Sequence, residues 1–218
     1  MKIGILGTGV VGNTIGSKLV KLGHEVKMGS RTADNEKGKE FAKANGSKAS
    51  NGTFADAAKF GEVIFNCTSG SVSLNVLQLA GAATMKGKIL IDVSNPLDFS
   101  KGMPPILTPS LSNTTSVGEA IQKAFPDVHV VKTFNTMNTN LMVDPSLLKG
   151  DHNVFICGND EGAKTKVKEM LGWFGWKPDN IIDLGDITGS RGVEMILPLW
   201  IRLWGSFQSP NFNFKIVR

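Results

Sequence analysis

The sequence contains no tyrosine among its 218 residues, and histidine and cysteine are scarce. The absence of tyrosine excludes the Tyr–Lys proton relay on which short-chain dehydrogenases depend. None of the three histidines, His24, His129 and His152, lies in the charged setting expected of a 2-hydroxy-acid dehydrogenase. No cluster of His, Cys, Asp and Glu has the spacing of metal ligands. We therefore expect no catalytic acid or base and no metal site.

The two cysteines and the apolar runs bear on the compartment. Cys67 and Cys157 lack C-x-x-C spacing, and we expect both to be reduced and buried. The first predicted strand starts at Lys2, which leaves no room for a signal peptide. The longest apolar run near the C-terminus, 195–204, is too short to span a bilayer and is interrupted by a proline and an arginine. These features predict a cytoplasmic protein with no membrane partner.

The charge balance is mildly basic. Lys and Arg together number 24, Asp and Glu number 19, and the formal net charge is +5. The basic residues are dispersed over predicted helix faces, which argues against a nucleic-acid partner and suits an anionic small molecule. With 41% hydrophobic and 20% charged residues, the chain can build a sizeable core.

A glycine motif organises the N-terminal region. The apolar run 3–6 is followed by Gly7-x-Gly9-x-x-Gly12 and then by apolar residues at helical spacing. In a dinucleotide-binding turn, Gly7 permits the tight turn, Gly9 lets a pyrophosphate approach, and Gly12 allows close packing of helix on strand. The helix N-terminus then faces the phosphates. The alternative interpretation is a plain strand–turn–helix corner.

The end of the second predicted strand indicates which dinucleotide is bound. An NAD site usually has an acidic residue there, whereas an NADP site has a small hydroxyl residue and an arginine for the 2′-phosphate. This chain has Ser30, Arg31 and Thr32, and its first carboxylate is Asp34. We predict that Ser30 and Arg31 bind the 2′-phosphate with help from Thr32. The alternative is a polar turn that caps a helix.

Three further loops follow predicted strands and should lie at the same edge of the sheet. Thr68 and Ser69 follow the strand 62–66, Asn95 follows the strand 88–93, and Asn135 follows the strand 129–133. In an open α/β sheet, ligands bind outside the carboxyl ends of the strands. Asn95 is placed to bond a nicotinamide ribose. The alternative for each loop is an ordinary polar turn.

The order of elements predicts the fold class. Five or six strands alternate with helices, which indicates an α/β protein with a Rossmann-like, doubly wound parallel sheet. The composition shifts near residue 145, so we predict a Rossmann domain over 1–145 and a small C-terminal α/β domain over 146–218. The last predicted helix, 193–204, is apolar almost all round and should be buried in a core or against a second subunit. Its two tryptophans are more typical of packing than of a ring-binding site.

A cofactor site without acid–base residues fits one kind of chemistry. Direct hydride transfer between two bound cofactors needs donor and acceptor to be positioned, and it needs no proton relay.

Several motifs together resemble a known family. They are Gly7-Thr8-Gly9-Val10-Val11-Gly12, Leu22-Gly23-His24-Glu25-Val26 running into Gly29-Ser30-Arg31, Asp92-Val93-Ser94-Asn95-Pro96, Val131-Lys132-Thr133-Phe134-Asn135-Thr136, and Phe155-Ile156-Cys157-Gly158-Asn159-Asp160. The chain resembles the coenzyme F-420-dependent NADP oxidoreductases and their relatives, the reductase domains of the STEAP metalloreductases. The resemblance covers nearly the whole length, and Ser30-Arg31 is its most specific part.

The resemblance implies a function and a site. NADP(H) would bind in a cleft between a Rossmann domain and a small C-terminal domain, pass hydride to coenzyme F-420 or a flavin, and the subunits would pair as homodimers. The implied cofactor contacts are Thr8, Val10 and Val11 at the pyrophosphate and nicotinamide, Ser30 and Arg31 at the 2′-phosphate, and Thr68, Ser69, Asn95 and Asn135 elsewhere. The proline-rich loop 103–109 and the Trp-rich last helix depart from the pattern, so the acceptor stays open. The chain shows no haem-linked membrane part.

Two other functions remain compatible with the sequence. A reductase of small carbonyls or imines would need a catalytic Lys or Asp on a long C-terminal helix, where 193–206 offers only Glu194 and Arg202. A non-catalytic NADPH-binding sensor or partner subunit would bind the cofactor without turnover.

Overall fold

The computed structural model describes residues 1–217. The strands in this range are β1 (Lys2–Leu6), β2 (Glu25–Ser30), β3 (Ala49–Thr53), β4 (Val63–Asn66), β5 (Ile89–Asp92), β6 (Leu97–Asp98), β7 (Ile106–Leu107), β8 (His129–Thr133), β9 (Val154–Gly158) and β10 (Ile181–Asp183). The α-helices are α1 (Val10–Lys21), α2 (Glu36–Asn45), α3 (Phe54–Phe60), α4 (Gly70–Ala80), α5 (Ala82–Met85), α6 (Val117–Ala124), α7 (Thr139–Val143), α8 (Glu161–Trp173), α9 (Ser190–Met195) and α10 (Leu197–Phe207). Short 3-10 turns join several of them.

Eight strands form one twisted sheet in the order β10-β9-β8-β5-β4-β1-β2-β3. All neighbours are parallel except β8 and β9, which are antiparallel. The chain order reverses between β1 and β4, and the crevice at such a switch point is where α/β sheets bind ligands. The predicted fold class, a Rossmann-like α/β protein, is confirmed. The remaining strands, β6 and β7, make a small separate hairpin.

The turn from β1 into α1 depends on two glycines. Gly7 has φ +116°, a conformation that side chains with a Cβ rarely adopt. A Cβ on Gly12 would lie 2.2 Å from the carbonyl oxygen of Gly7. The helix therefore packs directly on the loop that precedes it, and its N-terminus points over the carboxyl edge of the sheet.

Apolar side chains fill both faces of the sheet. One cluster joins β1 residues Ile3 and Ile5 to α1 and, at the far end, to Val167 and Phe174 of the C-terminal segment. The other cluster lies under α3, α4 and α6 on the opposite face. Because strands of a parallel sheet are covered on both faces, they appear in the sequence as continuous apolar runs.

The segment after residue 145 extends the same sheet. Its strands β9 and β10 continue from β8, and its helix α8 contributes to the core cluster that contains β1. The sheet therefore crosses the predicted boundary at residue 145 without interruption. Whether 1–145 and 146–218 behave as separate folding units stays a prediction.

The prediction of one continuous helix over 193–204 needs correction, whereas its burial in a core or against a second subunit stays a prediction. The structure divides this segment into α9 and α10 at Ile196. Pro198, two residues further on, has no N–H and its ring clashes with the preceding turn, so one uninterrupted helix does not run through it. Leu197 and Ile201 are buried, whereas Leu199, Trp204 and Phe207 are exposed. The helix therefore presents an apolar face to solvent in the single chain. No helix in residues 1–217 is long and apolar enough to cross a bilayer.

Candidate active site

The N-terminus of α1 is open toward the carboxyl edge of the sheet. Gly9 is the N-cap, and no side chain caps the helix. A Cβ on Gly9 would meet no atom within 4 Å, and the neighbouring Val10 is 76% exposed. Unsatisfied N–H groups at a helix N-terminus attract phosphate, and the open space above Gly9 lets it reach them. The loop therefore fits a pyrophosphate group.

The loop after β2 carries the predicted 2′-phosphate residues. Arg31 and Thr32 are exposed, whereas Ser30 is buried and its hydroxyl donates to the carbonyl oxygen of Thr32 at 2.5 Å. The one hydroxyl proton of Ser30 is thus used in a hydrogen bond within the loop, which stabilises the loop conformation, and it is not presented to solvent. A hydrogen bond from Thr32 lowers the pKa of the nearby Asp34 carboxyl. Arg31 is the exposed cation at this position.

The sequence interpretation did not single out Lys37, on the first turn of α2. It lines a cavity of about 290 Å³ together with Thr8, Gly9, Val10, Asn13, Thr14 and Glu40. Lys39, two residues on, pairs with Glu36 at 2.9 Å. In residues 1–217 Lys37 makes no such pair. The sequence signal for Lys37 is its position two residues after Asn35, the N-cap of α2 at the end of the β2 loop.

The loop after β4 contains Thr68 and Ser69. Thr68 donates its hydroxyl to Asn66 Oδ1 at 2.7 Å, and Asn66 Nδ2 donates to Asp92 Oδ1 at 2.8 Å. Ser69 is the N-cap of α4 but does not cap it, because its hydroxyl pairs with that of Ser71. Ser69 is exposed, while Thr68 is half-buried and bonded to the polar network of Asn66 and Asp92.

Asn95 and Asn135 meet between the ends of β5 and β8. Asn95 Nδ2 donates to the Asn135 carbonyl oxygen, and Asn135 Nδ2 donates to Asn95 Oδ1, each at 2.9 Å. Asn135 Nδ2 also donates to the Val193 carbonyl oxygen at 2.8 Å. Both amide protons of Asn135 are thus engaged, whereas no donor in residues 1–217 reaches its Oδ1. That oxygen remains an acceptor for a ligand amide or hydroxyl.

The backbone just before Asn135 is unusual. Phe134 has φ +67°, and the Asn135 N–H donates to the Thr133 carbonyl oxygen at 2.9 Å. This geometry is a tight γ-turn of the rare, strained kind. The Phe134 ring is buried against Phe174, with centroids 5.8 Å apart, which keeps the turn in place. Backbone strain of about 1–3 kcal/mol persists where surrounding packing enforces it, and such residues cluster at ligand sites.

Beneath these loops lies a buried ion network. The Lys132 ammonium is fully buried and lies 2.7 Å from Asp92 and 2.8 Å from Glu194. Glu194 also accepts hydrogen bonds from the backbone N–H groups of Val117 and Gly118 at the start of α6. The two carboxylates raise the pKa of Lys132 against the opposing effect of burial, and burial raises the pKa of Glu194.

The cysteines are free thiols. Cys67 is half-buried and Cys157 is buried, so the prediction of two buried cysteines is only partly right. Burial raises the pKa of Cys157 to about 12, and it also raises the pKa of Cys67. Both side chains are therefore neutral thiols near neutral pH, which makes them poor nucleophiles. In residues 1–217 no three His, Cys, Asp or Glu side chains are grouped to hold a metal ion.

The structure brings most of the predicted residues to one edge. Gly7, Thr8, Gly9, Val10, Val11 and Gly12 form the loop and first turn after β1. Ser30 ends β2, and Arg31 and Thr32 follow it. Thr68 and Ser69 follow β4, and Asn95 and Asn135 follow β5 and β8. All these strands are parallel, so their carboxyl ends meet at that edge. A doubly wound sheet with a glycine turn of this kind at that edge is typical of dinucleotide-binding proteins.

Comparisons with known proteins define the family. The family model for coenzyme F420-dependent NADP oxidoreductases matches residues 2–96. Rat metalloreductase STEAP3 is 32% identical over 204 residues, which cover 91% of this chain and 38% of STEAP3. The chain thus spans well under half the length of the curated relatives it matches.

One solved structure supports the same assignment, and another shares the fold. A crystal structure from Arthrobacter sp. FB24, of a protein proposed to be an F420-dependent NADP reductase, is 49% identical, with full coverage of both chains and a TM-score of 0.92. A reductive aminase from Aspergillus terreus, in complex with NADPH and ethyl levulinate, shares the fold at 17% identity and a TM-score of 0.66. This match covers 95% of the present chain and 62% of the aminase. The chain belongs to the coenzyme F420-dependent NADP oxidoreductase family.

Proposed function

We propose that the protein transfers hydride directly between NADPH and a planar flavin or deazaflavin ring, the latter of the coenzyme F-420 kind. One observation carries the proposal. The side chains that we assign to the nicotinamide half, Ser69, Asn95 and Asn135, are hydroxyl and amide groups, and the charged Lys37 and Glu40 lie beside the Gly9 loop. Asp92 and Glu194 are buried and each is paired with the buried Lys132. Such an edge orients two rings and does not supply a proton.

NADP(H) would lie along this edge in a defined direction. The pyrophosphate would occupy the loop from Gly7 to Gly12, with Thr8, Val10 and Val11 beside it. Arg31 would bind the 2′-phosphate with Thr32, while Ser30 shapes their loop. Ser69, Asn95 and Asn135 would contact the nicotinamide half of the cofactor, and Thr68 would support Ser69 from beneath.

The chemistry needs only positioning. When bound, NADPH would supply a hydride to the acceptor ring, and the accompanying proton would come from water. The residues at the carboxyl edge would hold the nicotinamide and the acceptor ring in place. Val10 is an exposed apolar side chain at the first turn of α1, and it offers an apolar contact for a ring. Correct placement of donor and acceptor supplies most of the rate in such a step.

A homodimer is part of this proposal. Leu199, Trp204 and Phe207 are exposed on α10, and large exposed apolar groups mark interaction surfaces. A second copy would cover this face. Replacement of Leu199 by Asp should give a monomer in sedimentation velocity, and an unchanged sedimentation coefficient would contradict the dimer contact.

The test is NADPH oxidation by the purified protein with coenzyme F-420, FMN, FAD and riboflavin offered in turn. NADH serves as the control donor, and a cyclic imine and a small ketone serve as control acceptors. Turnover of F-420 or a free flavin with NADPH in preference to NADH supports the proposal. Turnover of the imine or ketone alone would move the assignment to the second enzyme class, and NADPH binding without turnover would favour a sensor.

A further inference from the structure

Lys132 is a fully buried lysine in the site region, paired with the equally buried Asp92. Its ammonium group is 0% exposed and donates to three acceptors: Asp92 Oδ2, Glu194 Oε1 and the Ser94 carbonyl oxygen, the last at 2.5 Å. All three of its protons are therefore used. Lys132 cannot touch a cofactor, so any functional effect must pass through its partners.

Each partner of Lys132 leads to the Asn95–Asn135 pair. Asp92 also accepts from the backbone N–H and the hydroxyl of Ser94, the residue directly before Asn95. Glu194 directly follows Val193, whose carbonyl oxygen accepts from Asn135 Nδ2. Lys132 itself lies on β8, three residues before Asn135 in the loop that follows this strand. One ammonium thus ties together the three backbone segments that hold the amide pair.

A second buried lysine serves as an internal comparison. Lys164 on α8 is also buried and lies 3.1 Å from Asp183. Its helix begins beside Asp160, which contacts His129 at the first residue of β8, so Lys164 lies at the opposite edge of the sheet. A buried ion pair is weak evidence for stability, because apolar side chains of similar volume often serve as well. The position of Lys132 therefore needs a different explanation.

We propose that Lys132 is a positioning residue: through Asp92, Ser94 and Glu194 it holds Asn95 and Asn135 in the arrangement that receives the nicotinamide half of NADPH. The proposal rests on the proposed function in one respect, the contact between the amide pair and the cofactor. Its structural half, the control of the Asn135 loop by Lys132, stands on the contacts alone.

The first test is a double-mutant cycle on NADPH affinity, measured by isothermal titration calorimetry with Lys132→Met and Asn135→Ala. We expect Lys132→Met to weaken NADPH binding about tenfold, and to have no further effect once Asn135 is Ala, because both act through one contact. Lys164→Met is the matched control and should leave NADPH affinity unchanged. Wild-type affinity in folded Lys132→Met, or a loss that adds fully to that of Asn135→Ala, would overturn the proposal.

The second test needs no cofactor. In the free protein the Asn135 N–H is bonded to Thr133 within the γ-turn, and its hydrogen exchange reports the order of that loop. Lys132→Met should accelerate this exchange, while Lys164→Met should not. If Asn135→Ala binds NADPH normally, the cofactor contact of the proposed function fails, and the exchange rate then decides the positioning role by itself. Unchanged exchange in Lys132→Met would overturn it.

Loss of Lys132 leaves two buried carboxylates without a cation, so the single variant risks unfolding. The double variant Lys132→Met/Asp92→Asn retains one carboxylate, Glu194, which still accepts from the N–H groups at the start of α6. The net charge of the cluster stays at −1, while the tether between the strands is gone. Both measurements should give the same result in this variant as in Lys132→Met, and a wild-type result in either would count against the proposal.

Discussion

Asn95 and Asn135 donate hydrogen bonds to each other across the gap between β5 and β8, each at 2.9 Å. The pair joins two loops that are 40 residues apart in sequence and lie side by side at the carboxyl edge. A further bond from Asn135 to Val193 brings in α9. The amide pair is therefore the point at which the end of the parallel sheet and the C-terminal segment meet.

Replacement of Asn95 by Ala should destabilise the protein and weaken NADPH binding. The change removes the acceptor for Asn135 Nδ2 and the donor to the Asn135 carbonyl, and each loss in a buried site costs about 1 kcal/mol. We expect the free energy of unfolding, from urea titration, to fall by about 1–2 kcal/mol. Asn75→Ala, on the exposed side of α4, is the control and should change neither quantity. Unaltered NADPH affinity in folded Asn95→Ala would remove Asn95 from the cofactor site.

Arg31 should decide between NADPH and NADH. It is the exposed cation at the end of β2, and a hydrogen bond to a charged phosphate contributes about 2 kcal/mol. Arg31→Ala should therefore weaken NADPH binding about 30-fold while NADH affinity changes little. Dissociation constants for both dinucleotides measure the effect, with Arg202→Ala on α10 as a control arginine. An equal loss of affinity for NADPH and NADH would show that Arg31 does not bind the 2′-phosphate.

The fold was predictable because its signals are local. The apolar run 3–6, the three glycines and the amphipathic segment after them lie within about twenty residues, where period and turn chemistry are informative. The location of the ligand-binding edge then follows, because parallel strands all have their carboxyl ends on the same side of the sheet. The antiparallel strand β9 was not predictable in this way, because a strand's direction depends on the path of the connection before it.

The buried network could not be predicted as a unit, although one signal pointed to it. Asp92 and Lys132 are 40 residues apart, and Glu194 lies on a helix of the C-terminal segment. The signal is that Lys132 directly follows the apolar residues Val130 and Val131 in a predicted buried strand. A lysine that is fully buried in such a strand needs an oppositely charged partner. The sequence also did not decide whether the apolar face of α10 is covered by its own chain or by a second subunit. A helix that is apolar on all faces is expected to be buried, but this pattern is the same whichever chain buries it.

A pair of glycine variants can separate folding from cofactor binding in the loop after β1. A Cβ on Gly12 would lie 2.2 Å from the Gly7 carbonyl oxygen, so Gly12→Ala forces the helix off its loop. We expect a loss of stability of about 1–3 kcal/mol. A Cβ on Gly9 meets nothing within 4 Å, so Gly9→Ala should keep a near-wild-type melting temperature. Its methyl group would nevertheless occupy the space that we assign to the pyrophosphate.

The measurements for this pair are thermal unfolding and NADPH titration. Gly9→Ala should lose most of its NADPH affinity while its melting temperature changes by little, and Gly12→Ala should lose both. Normal NADPH binding by Gly9→Ala would mean that the pyrophosphate does not pass over Gly9. Normal stability of Gly12→Ala would mean that the close contact between α1 and its loop relaxes at little cost.

The Glu119–Arg191 pair should give the protein part of its acid sensitivity. Arg191 Nε donates to Glu119 Oε2 at 2.8 Å, which joins α6 to α9 and lowers the pKa of Glu119 from its usual value near 4.5. Because the folded-state pKa is the lower one, the unfolded chain binds the proton more tightly. The stability from this pair is therefore present above about pH 4.5 and is lost as the pH falls toward the folded-state pKa.

Glu119→Gln tests this linkage. The variant should be less stable than wild type at neutral pH and should lose less stability on acidification, so the two curves converge below about pH 4.5. Urea unfolding across this range measures both curves. Glu36→Gln is the control, because its pair with Lys39 is on an exposed helix face and surface pairs contribute little. A Glu119→Gln curve parallel to that of wild type would show that the pair does not couple folding to protonation.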